Sequence, residues 1–165
     1  MLTALTPLVS SHTHLLILGS FPGAASLRAQ QYYGHPRNHF WRILQAIWPS
    51  GALDMCASSY QIRSEWLLSK NLGVWDVYAS CEREGSLDSN IRQAVLNDFS
   101  GLTRLCPHLE AIAHNGGESF KHARHSSALG LPVYRLPSTS PANASWSFER
   151  KLVAWRAVFE KHGLI

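Results

Sequence analysis

The feature that most constrains the fold is a short apolar run closed by a glycine. Leu15 to Leu18 carries four aliphatic side chains in succession, and Gly19 follows them. A continuous apolar run of this length, bounded by a turn-forming residue, is typical of a strand buried on both faces of its sheet. A strand buried in this way needs helices above and below it, so the run predicts a layered α/β fold.

Strand and helix patterns alternate along the rest of the chain. The predicted strands are residues 15–18, 72–78, 109–113 and 132–136, and the predicted helices are residues 37–48, 58–70, 88–105, 118–125 and 147–162. Strands separated by helices pair in parallel, with right-handed connections. The prediction is therefore an α/β protein, a three-layer α/β/α sandwich with a central four-stranded parallel sheet, which forms a single domain over residues 1–165.

Composition and charge favour a soluble protein with an anionic partner. Apolar residues make up 45% of the chain and charged residues 16%, which is enough for a compact core. The net charge of +4 permits nucleic acid without requiring it. No basic leader begins the chain, and no apolar run approaches the ~20 residues that cross a bilayer. We therefore expect an unexported protein with no membrane partner.

The cysteines argue against a disulfide framework and against a metal centre. Cys56, Cys81 and Cys106 lie far apart and are odd in number. They supply neither paired disulfides nor the four ligands of an iron–sulfur or zinc site. We expect a reducing, cytoplasmic setting and no bound metal.

Polar and glycine-rich segments follow the carboxyl ends of all four predicted strands. They are residues 19–23, Asp76, residues 115–117 and residues 137–140. In parallel sheets the functional crevice lies outside the carboxyl ends of the strands. These segments are therefore expected to meet at one edge of the sheet and to form a site there.

Three longer motifs resemble those of one known family. Gly-Ser-Phe-Pro-Gly spans residues 19–23, Gln-Tyr-Tyr-Gly-His-Pro-Arg-Asn-His-Phe-Trp-Arg-Ile spans residues 31–43, and Leu-Pro-Ser-Thr-Ser-Pro-Ala-Asn spans residues 136–143. Over nearly the whole chain they resemble the hypoxanthine (deoxyinosine) DNA glycosylases, a branch of the uracil-DNA glycosylase superfamily. The resemblance implies the superfamily fold and an enzyme of base excision repair. Such an enzyme flips a deaminated base out of double-stranded DNA and hydrolyses its glycosidic bond without a cofactor.

Asn38 is the residue to which the resemblance assigns catalysis. It follows Pro36 and Arg37 in what should be the first turn of a helix. Hydrolysis of an N-glycosidic bond passes through an oxocarbenium-like state, for which an aligned water matters more than a strong base. Related branches also supply an Asp or Asn from the first loop, where Ser20 or Phe21 stands here, and this shifts the role to Asn38. Local pattern alone leaves open an asparagine that caps the helix.

The resemblance assigns base binding to an aromatic side chain and to a carboxylate. Tyr33 matches the aromatic residue on which the everted base stacks, and core packing is its alternative role. Asp76 stands where the superfamily reads the edge of the base. A carboxylate can accept the N–H that hypoxanthine and uracil present and adenine lacks. A helix cap or an ion-paired acid is the alternative for Asp76.

The first loop and the end of the third predicted strand complete the expected pocket. Phe21 and the backbone amides of the loop are expected to form its floor, and Asn115 is either a weaker second reader of the base or a turn former. The loop residues placed at the scissile sugar are Gly19, Ser20, Pro22 and Gly23.

The remaining predictions concern DNA binding and the departing base. Ser138 and Ser140, in a proline-bounded loop, suit contacts to phosphates, as does Arg37. Several branches have a histidine that stabilises the departing base where Leu136 stands here. The residues that could replace it are His35, His39 and His114, although a histidine near a helix start more often has a structural role.

Other functions stay open from the sequence. Uracil or a mispaired thymine is the nearest rival substrate, because the same carboxylate would read it. A hydrolase of free nucleosides and a nucleic-acid-binding domain without activity are the rivals of other classes. No lysine occurs among the loop motifs, so a monofunctional enzyme without a lyase step is expected. We expect a monomer in the cytoplasm, associated with the nucleoid when it acts.

Overall fold

The computed structural model describes residues 1–49 and 58–165. The strands are β1 (Leu2–Thr3), β2 (Leu15–Gly19), β3 (Leu72–Asp76), β4 (Tyr78–Glu82), β5 (Arg92–Leu96), β6 (Ala111–Asn115) and β7 (Val133–Leu136). The α-helices are α1 (Ala24–Ala29), α2 (Phe40–Ile47), α3 (Tyr60–Ser69), α4 (Leu102–Leu105), α5 (Gly117–Phe120), α6 (Ala123–Ser127) and α7 (Phe148–Lys161). Within these residues, no helix is long and apolar enough to cross a membrane.

The central sheet has four parallel strands in the order β3-β2-β6-β7. All five residues of β2 are buried, as the apolar run predicts. The register places Gly19 beside Asp76 and Leu18 beside His114. The carboxyl ends of β3, β2 and β6 therefore lie side by side, and the predicted four-stranded parallel sheet is confirmed.

Two hydrophobic cores cover the two faces of this sheet. Successive side chains of a strand point to opposite faces, so Leu15 and Ile17 pack in one core while Leu16 and Leu18 pack in the other. The first core contains residues of α2 and α7, and the second contains Leu102 of α4. This arrangement confirms the predicted three layers.

A second sheet departs from the prediction. Strands β1, β4 and β5 form an antiparallel sheet in the order β1-β4-β5, so the strand predicted over residues 72–78 is in fact two strands that belong to different sheets. Of the helix predicted over residues 88–105, only a 3-10 turn (Asp88–Asn90) and the last turn, α4, are helical, and the rest of the prediction is wrong. Ile91 and Val95 suggested a helical face, but Val95 is 54% exposed, and a strand of mostly exposed residues occupies this segment.

The other differences concern the bounds of elements. The helix predicted from residue 37 begins at Phe40, the third strand lies two residues later than predicted, and the helix predicted over residues 118–125 is the pair α5 and α6. Helix α1 was not predicted. The helices predicted over residues 58–70 and 147–162 are confirmed, and Ser59 and Ser147 cap them. Residues 50–57 lie outside the described residues. They include Cys56 and the last two residues of Pro49-Ser50-Gly51, a sequence that predicts a break after the helix over residues 37–48.

Candidate active site

A cavity of about 730 Å³ lies at the carboxyl edge of the parallel sheet. Its wall includes residues that follow each of the four parallel strands, at 19–23, 76, 115–117 and 136–143. The turn before α2 adds Tyr33, His35 and Asn38. Polar segments that are distant in sequence thus share one concave surface.

All but one of the predicted site residues line this cavity. Arg37 does not line it; the side chain is exposed, and the backbone N–H donates to His35 Nδ1 at 3.1 Å. The predicted residues that do line it are Gly19, Ser20, Phe21, Pro22, Gly23, Tyr33, Asn38, Asp76, Asn115, Ser138 and Ser140.

Asn38 lies just before helix α2 rather than inside it. Its backbone N–H donates to His35 O at 3.0 Å, which closes the turn after Pro36. Its side-chain Oδ1 accepts the Phe40 N–H at 2.9 Å. Phe40 is fully buried, so this bond fixes the amide against a rigid part of the core. An amide oxygen has two lone pairs, and Asn38 can therefore cap the helix and still accept a hydrogen bond from the cavity.

His39 fastens the Asn38 turn to the loop after β7. The His39 N–H donates to Thr139 O at 3.0 Å, and its ring Nδ1 lies 3.2 Å from Lys151 Nζ. Lys151 is only 1% exposed, and burial lowers its pKa. Burial and the neighbouring Lys151 also lower the pKa of His39. His39 does not line the cavity, so its role in this geometry is to hold the turn.

Tyr33 serves both the core and the cavity. Its ring stacks on Phe40 at a centroid distance of 4.1 Å and an interplanar angle of 27°. Its backbone φ is +54°, a left-handed conformation that costs an L residue about 1–2 kcal/mol. The Trp41 Nε1–H donates to Tyr32 O at 3.2 Å and supports this strained turn. The buried Tyr33 hydroxyl has no hydrogen-bond partner among the described residues.

Asp76 is a buried carboxylate with no ion-pair partner among the described residues. It is 4% exposed, and its Oδ2 has no hydrogen-bond partner within the described residues. Burial, followed by the negative charge of Asp88, raises its pKa to about 7, and Arg83 partly offsets the rise. Among residues 1–49 and 58–165 the geometry shows neither a helix cap nor an ion pair for this acid. Both alternative roles of Asp76 are therefore absent from the described chain.

Gly19 allows Asp76 and Tyr33 to approach the end of β2. A Cβ placed on Gly19 would lie 2.5 Å from Asp76 Oδ1 and 3.3 Å from Tyr33 Oη. The first distance is too short for any side chain, so glycine is required for close approach. Burial and the charge of Asp76 raise the pKa of the Tyr33 hydroxyl, although the nearby Asn115 side chain partly offsets this. Asp76 Oδ1 and Tyr33 Oη therefore both lie against Gly19.

Asn115 ties β6 to the loop after β7. Its Nδ2 donates to Thr139 Oγ1 at 3.0 Å, and the Thr139 N–H donates to Asn115 Oδ1 at 3.0 Å. Both residues are buried. One donor and one acceptor of the amide are thus engaged within the protein, which favours the structural alternative over a dedicated reader of the base.

One wall of the cavity was missed by the sequence analysis. Residues 86–89, in the loop between β4 and β5, line it. Three hydrogen bonds join this loop to the first: Ser20 Oγ donates to Asp88 Oδ1 at 2.7 Å, the Ala24 N–H to Ser86 Oγ at 2.9 Å, and Arg83 Nη2 to Pro22 O at 2.7 Å. The turn-forming sequence around Gly85, where φ is +73°, was the signal for a hairpin there.

Of the three candidate histidines, His35 alone lines the cavity. Its Nδ1 accepts a backbone N–H, so the neutral ring carries its proton on Nε2. His114 is buried, with each ring nitrogen 2.7 Å from a hydroxyl, those of Ser119 and Ser126. Burial lowers the pKa of His114 to about 4. His114 is therefore a neutral, fully bonded residue of the core.

Arg135 and Trp146 also line the cavity, although neither was singled out from the sequence. Cys81 and Cys106 are buried free thiols. Across the described ranges, no group of three or more His, Cys, Asp or Glu side chains is arranged to hold a metal ion.

Comparisons with known proteins agree on one family. The family model for the uracil DNA glycosylase superfamily matches residues 6–159. A hypoxanthine DNA glycosylase of Methanosarcina barkeri is 37% identical over 155 residues, covering 94% of this chain and 96% of the relative. A protein of the same name from Methanosarcina acetivorans is 38% identical over 151 residues, covering 92% and 93%. A solution NMR structure from M. acetivorans, described as a candidate uracil DNA glycosylase, superposes with a TM-score of 0.85 at 35% identity and covers 98% of both chains.

Proposed function

The chain belongs to the uracil DNA glycosylase superfamily. From this we propose that it is a DNA glycosylase that hydrolytically excises a deaminated base, and that hypoxanthine is its main substrate. The relatives named hypoxanthine DNA glycosylase support this substrate. One observation on this chain carries it: two buried oxygens, Asp76 Oδ2 and Tyr33 Oη, have no partner among the described residues and belong to side chains that line the cavity.

These two oxygens complement the edge of hypoxanthine. Hypoxanthine presents an N1–H donor beside a C6 carbonyl acceptor. The Asp76 carboxylate accepts the N–H, and the Tyr33 hydroxyl donates to the carbonyl. This edge contact is a different role from the stacking expected of Tyr33, one face of whose ring is covered by Phe40. Adenine presents the reverse, an acceptor at N1 and a donor at N6. The ionised Asp76 carboxylate cannot donate to N1 of adenine and would be left unmatched, at a cost of about 1–3 kcal/mol, so it discriminates against the undamaged base.

Hydrolysis needs a water held near the anomeric carbon. Asn38 Oδ1, oriented by the Phe40 N–H, has a second lone pair that can accept a hydrogen bond from this water. Because the glycosidic bond breaks through a cationic sugar, such a water attacks without a strong base. Asn38 is the catalytic residue of the proposal.

The loop after β7 is suited to contacting DNA. Its serines are organised by local bonds, with Ser140 N–H donating to Ser138 Oγ and Ala142 N–H to Ser140 Oγ, both at 3.2 Å. The hydroxyl groups of Ser138 and Ser140 can therefore donate their hydrogens to phosphate oxygens. The exposed side chains of Arg37 and Arg135 add positive charge. We propose that the substrate is double-stranded DNA and that the protein acts as a monomer in the cytoplasm, at the nucleoid.

Uracil is the second candidate substrate. It presents N3–H beside the C4 carbonyl, and this donor–acceptor pair matches the two buried oxygens in the same way. Mismatched thymine shares that edge.

An excision assay tests the proposal. Labelled duplexes that carry one hypoxanthine, uracil, mismatched thymine or adenine are incubated with the protein, and abasic sites are cleaved with alkali. We expect cleavage at hypoxanthine and none at adenine, with free deoxyinosine left intact. Cleavage at uracil alone would contradict hypoxanthine as the substrate. Hydrolysis of the free nucleoside would indicate a nucleoside hydrolase. Binding of DNA without excision of any base would indicate a non-catalytic domain.

A further inference from the structure

Two carboxylates line the cavity in the described part of the chain, Asp76 and Asp88. Asp76 lies against Gly19 with its second oxygen unpaired, the position from which it reads the base. Asp88 comes from the β4–β5 loop, and its Oδ1 accepts the Ser20 hydroxyl at 2.7 Å.

The charge of Asp88 acts on the proposed base pocket. Ser20 follows Gly19, the residue against which Asp76 Oδ1 and Tyr33 Oη both lie. Asp88 also raises the pKa values of Asp76 and Tyr33 after the larger effect of burial. Burial raises the pKa of Asp88 itself, and the Ser20 hydroxyl and Arg83 partly offset that rise. A second negative charge close to a buried acid is electrostatically unfavourable, and such arrangements concentrate at functional sites.

We propose that Asp88, held by Ser20, is a catalytic carboxylate whose negative charge stabilises the cationic deoxyribose that forms as the glycosidic bond breaks. This inference rests on the proposed function. A fixed charge that faces developing opposite charge in a cavity shielded from water is a major source of rate enhancement.

The step is balanced without proton transfer to Asp88. The C1′–N9 bond breaks and its electron pair leaves with the base, so that the sugar becomes an oxocarbenium ion. Water then adds its oxygen to C1′, and the proton that it loses ends on the base. The products are the abasic sugar and neutral hypoxanthine, and Asp88 stays a carboxylate throughout.

The competing explanation is that Asp88 only tethers two loops. Glu84 provides a matched control for the charge, because it lies on the same loop, is exposed and does not line the cavity; Glu84→Gln removes a negative charge from the loop outside the site. Asp88→Asn keeps an acceptor for the Ser20 hydroxyl and removes the charge. Asp88→Ala removes both.

Single-turnover excision separates these explanations. We expect Asp88→Asn and Asp88→Ala to slow hypoxanthine release by at least about tenfold, while Glu84→Gln stays within about threefold of the wild type. Asp88→Asn at the wild-type rate, or Glu84→Gln as slow as Asp88→Asn, would overturn the proposal. A wild-type protein that excises no base contradicts the proposed function instead.

A binding measurement tests the charge without chemistry. Duplexes are prepared with a cationic pyrrolidine or a neutral tetrahydrofuran in place of the target sugar. We expect the wild type and Glu84→Gln to prefer the cationic analogue by at least about tenfold, and Asp88→Asn to lose this preference while it binds the neutral analogue as before. An unchanged preference in Asp88→Asn would contradict the inference, and thermal melting of each variant checks that it is folded.

Discussion

Asn115 and Thr139 exchange two hydrogen bonds of 3.0 Å that join the end of β6 to the loop after β7. The carbonyl of Thr139 also accepts the His39 N–H, so the connection continues to the turn that carries Asn38. Three segments distant in sequence are thereby held around one cavity.

This connection predicts strong coupling between Asn115 and Thr139. Each of Asn115→Ala and Thr139→Val should lower the free energy of unfolding by about 1–3 kcal/mol, because each leaves a buried polar partner unsatisfied. The double variant should lose clearly less than the sum of the two losses. Urea unfolding measures all four proteins, and additive losses would show that the bonds do not form as described.

Gly19→Ala should damage the pocket while the fold remains. The added Cβ would lie 2.5 Å from Asp76 Oδ1, so the carboxylate and Tyr33 must shift, and excision of hypoxanthine should fall at least about tenfold. Gly101→Ala is the control, since a Cβ there meets nothing within 4 Å. Equal excision rates for the two variants would argue that Asp76 does not need this position.

Asp76 should lower stability at alkaline pH. Its folded-state pKa of about 7 lies above the ordinary value of 3.8, so the folded protein holds the Asp76 proton more tightly than the unfolded chain does. The stabilisation from this protonated form is fully present below pH 3.8 and is lost as the pH rises through 7. At pH 8 the buried charge costs up to about 4 kcal/mol. Asp76→Asn should therefore gain stability relative to the wild type between pH 5 and pH 8. Urea unfolding at both pH values measures this, and a constant difference would place the Asp76 pKa near normal.

The same ionisation predicts the pH dependence of excision. Asp76 must be ionised to accept the N1–H of hypoxanthine, so the single-turnover rate of the wild type should rise between pH 6 and pH 8. In Asp76→Asn the rise should be weaker, and discrimination between hypoxanthine and adenine should change more than affinity for DNA. Equal losses on every substrate would indicate that Asp76 does not read the edge of the base.

The central sheet was predictable because its signals are local. The apolar run of β2 and the periodic spacing of Phe148, Trp155 and Phe159 in α7 follow from burial alone, and polar loops after parallel strands converge by topology. The bounds near Asn38 were less certain, because the turn closed by His35 O delays the helix to Phe40.

The β4–β5 loop could not be predicted in the same way. The chain leaves the parallel sheet at Val77, and Tyr78 of β4 pairs with Leu96 of β5. This pairing joins residues that are distant in sequence, and most residues of β5 are exposed, so β5 has no buried apolar face to predict it. Ser20 and Asp88 are 68 positions apart. Their contact depends on the hairpin formed by β4 and β5. Because a helix was predicted for this segment, the wall of the site formed by residues 86–89 was not predicted.

The role of Asn38 is tested most directly by single-turnover release of hypoxanthine from a duplex, with DNA affinity measured on the same samples. Asn38→Ala removes the amide and the cap, whereas Asn38→Ser keeps an acceptor suited to capping the Phe40 N–H. We predict that both variants bind the duplex within about threefold of the wild type and release the base at least about 100-fold more slowly. Wild-type release by Asn38→Ser would contradict the account, because Asn38 would then be a helix cap alone.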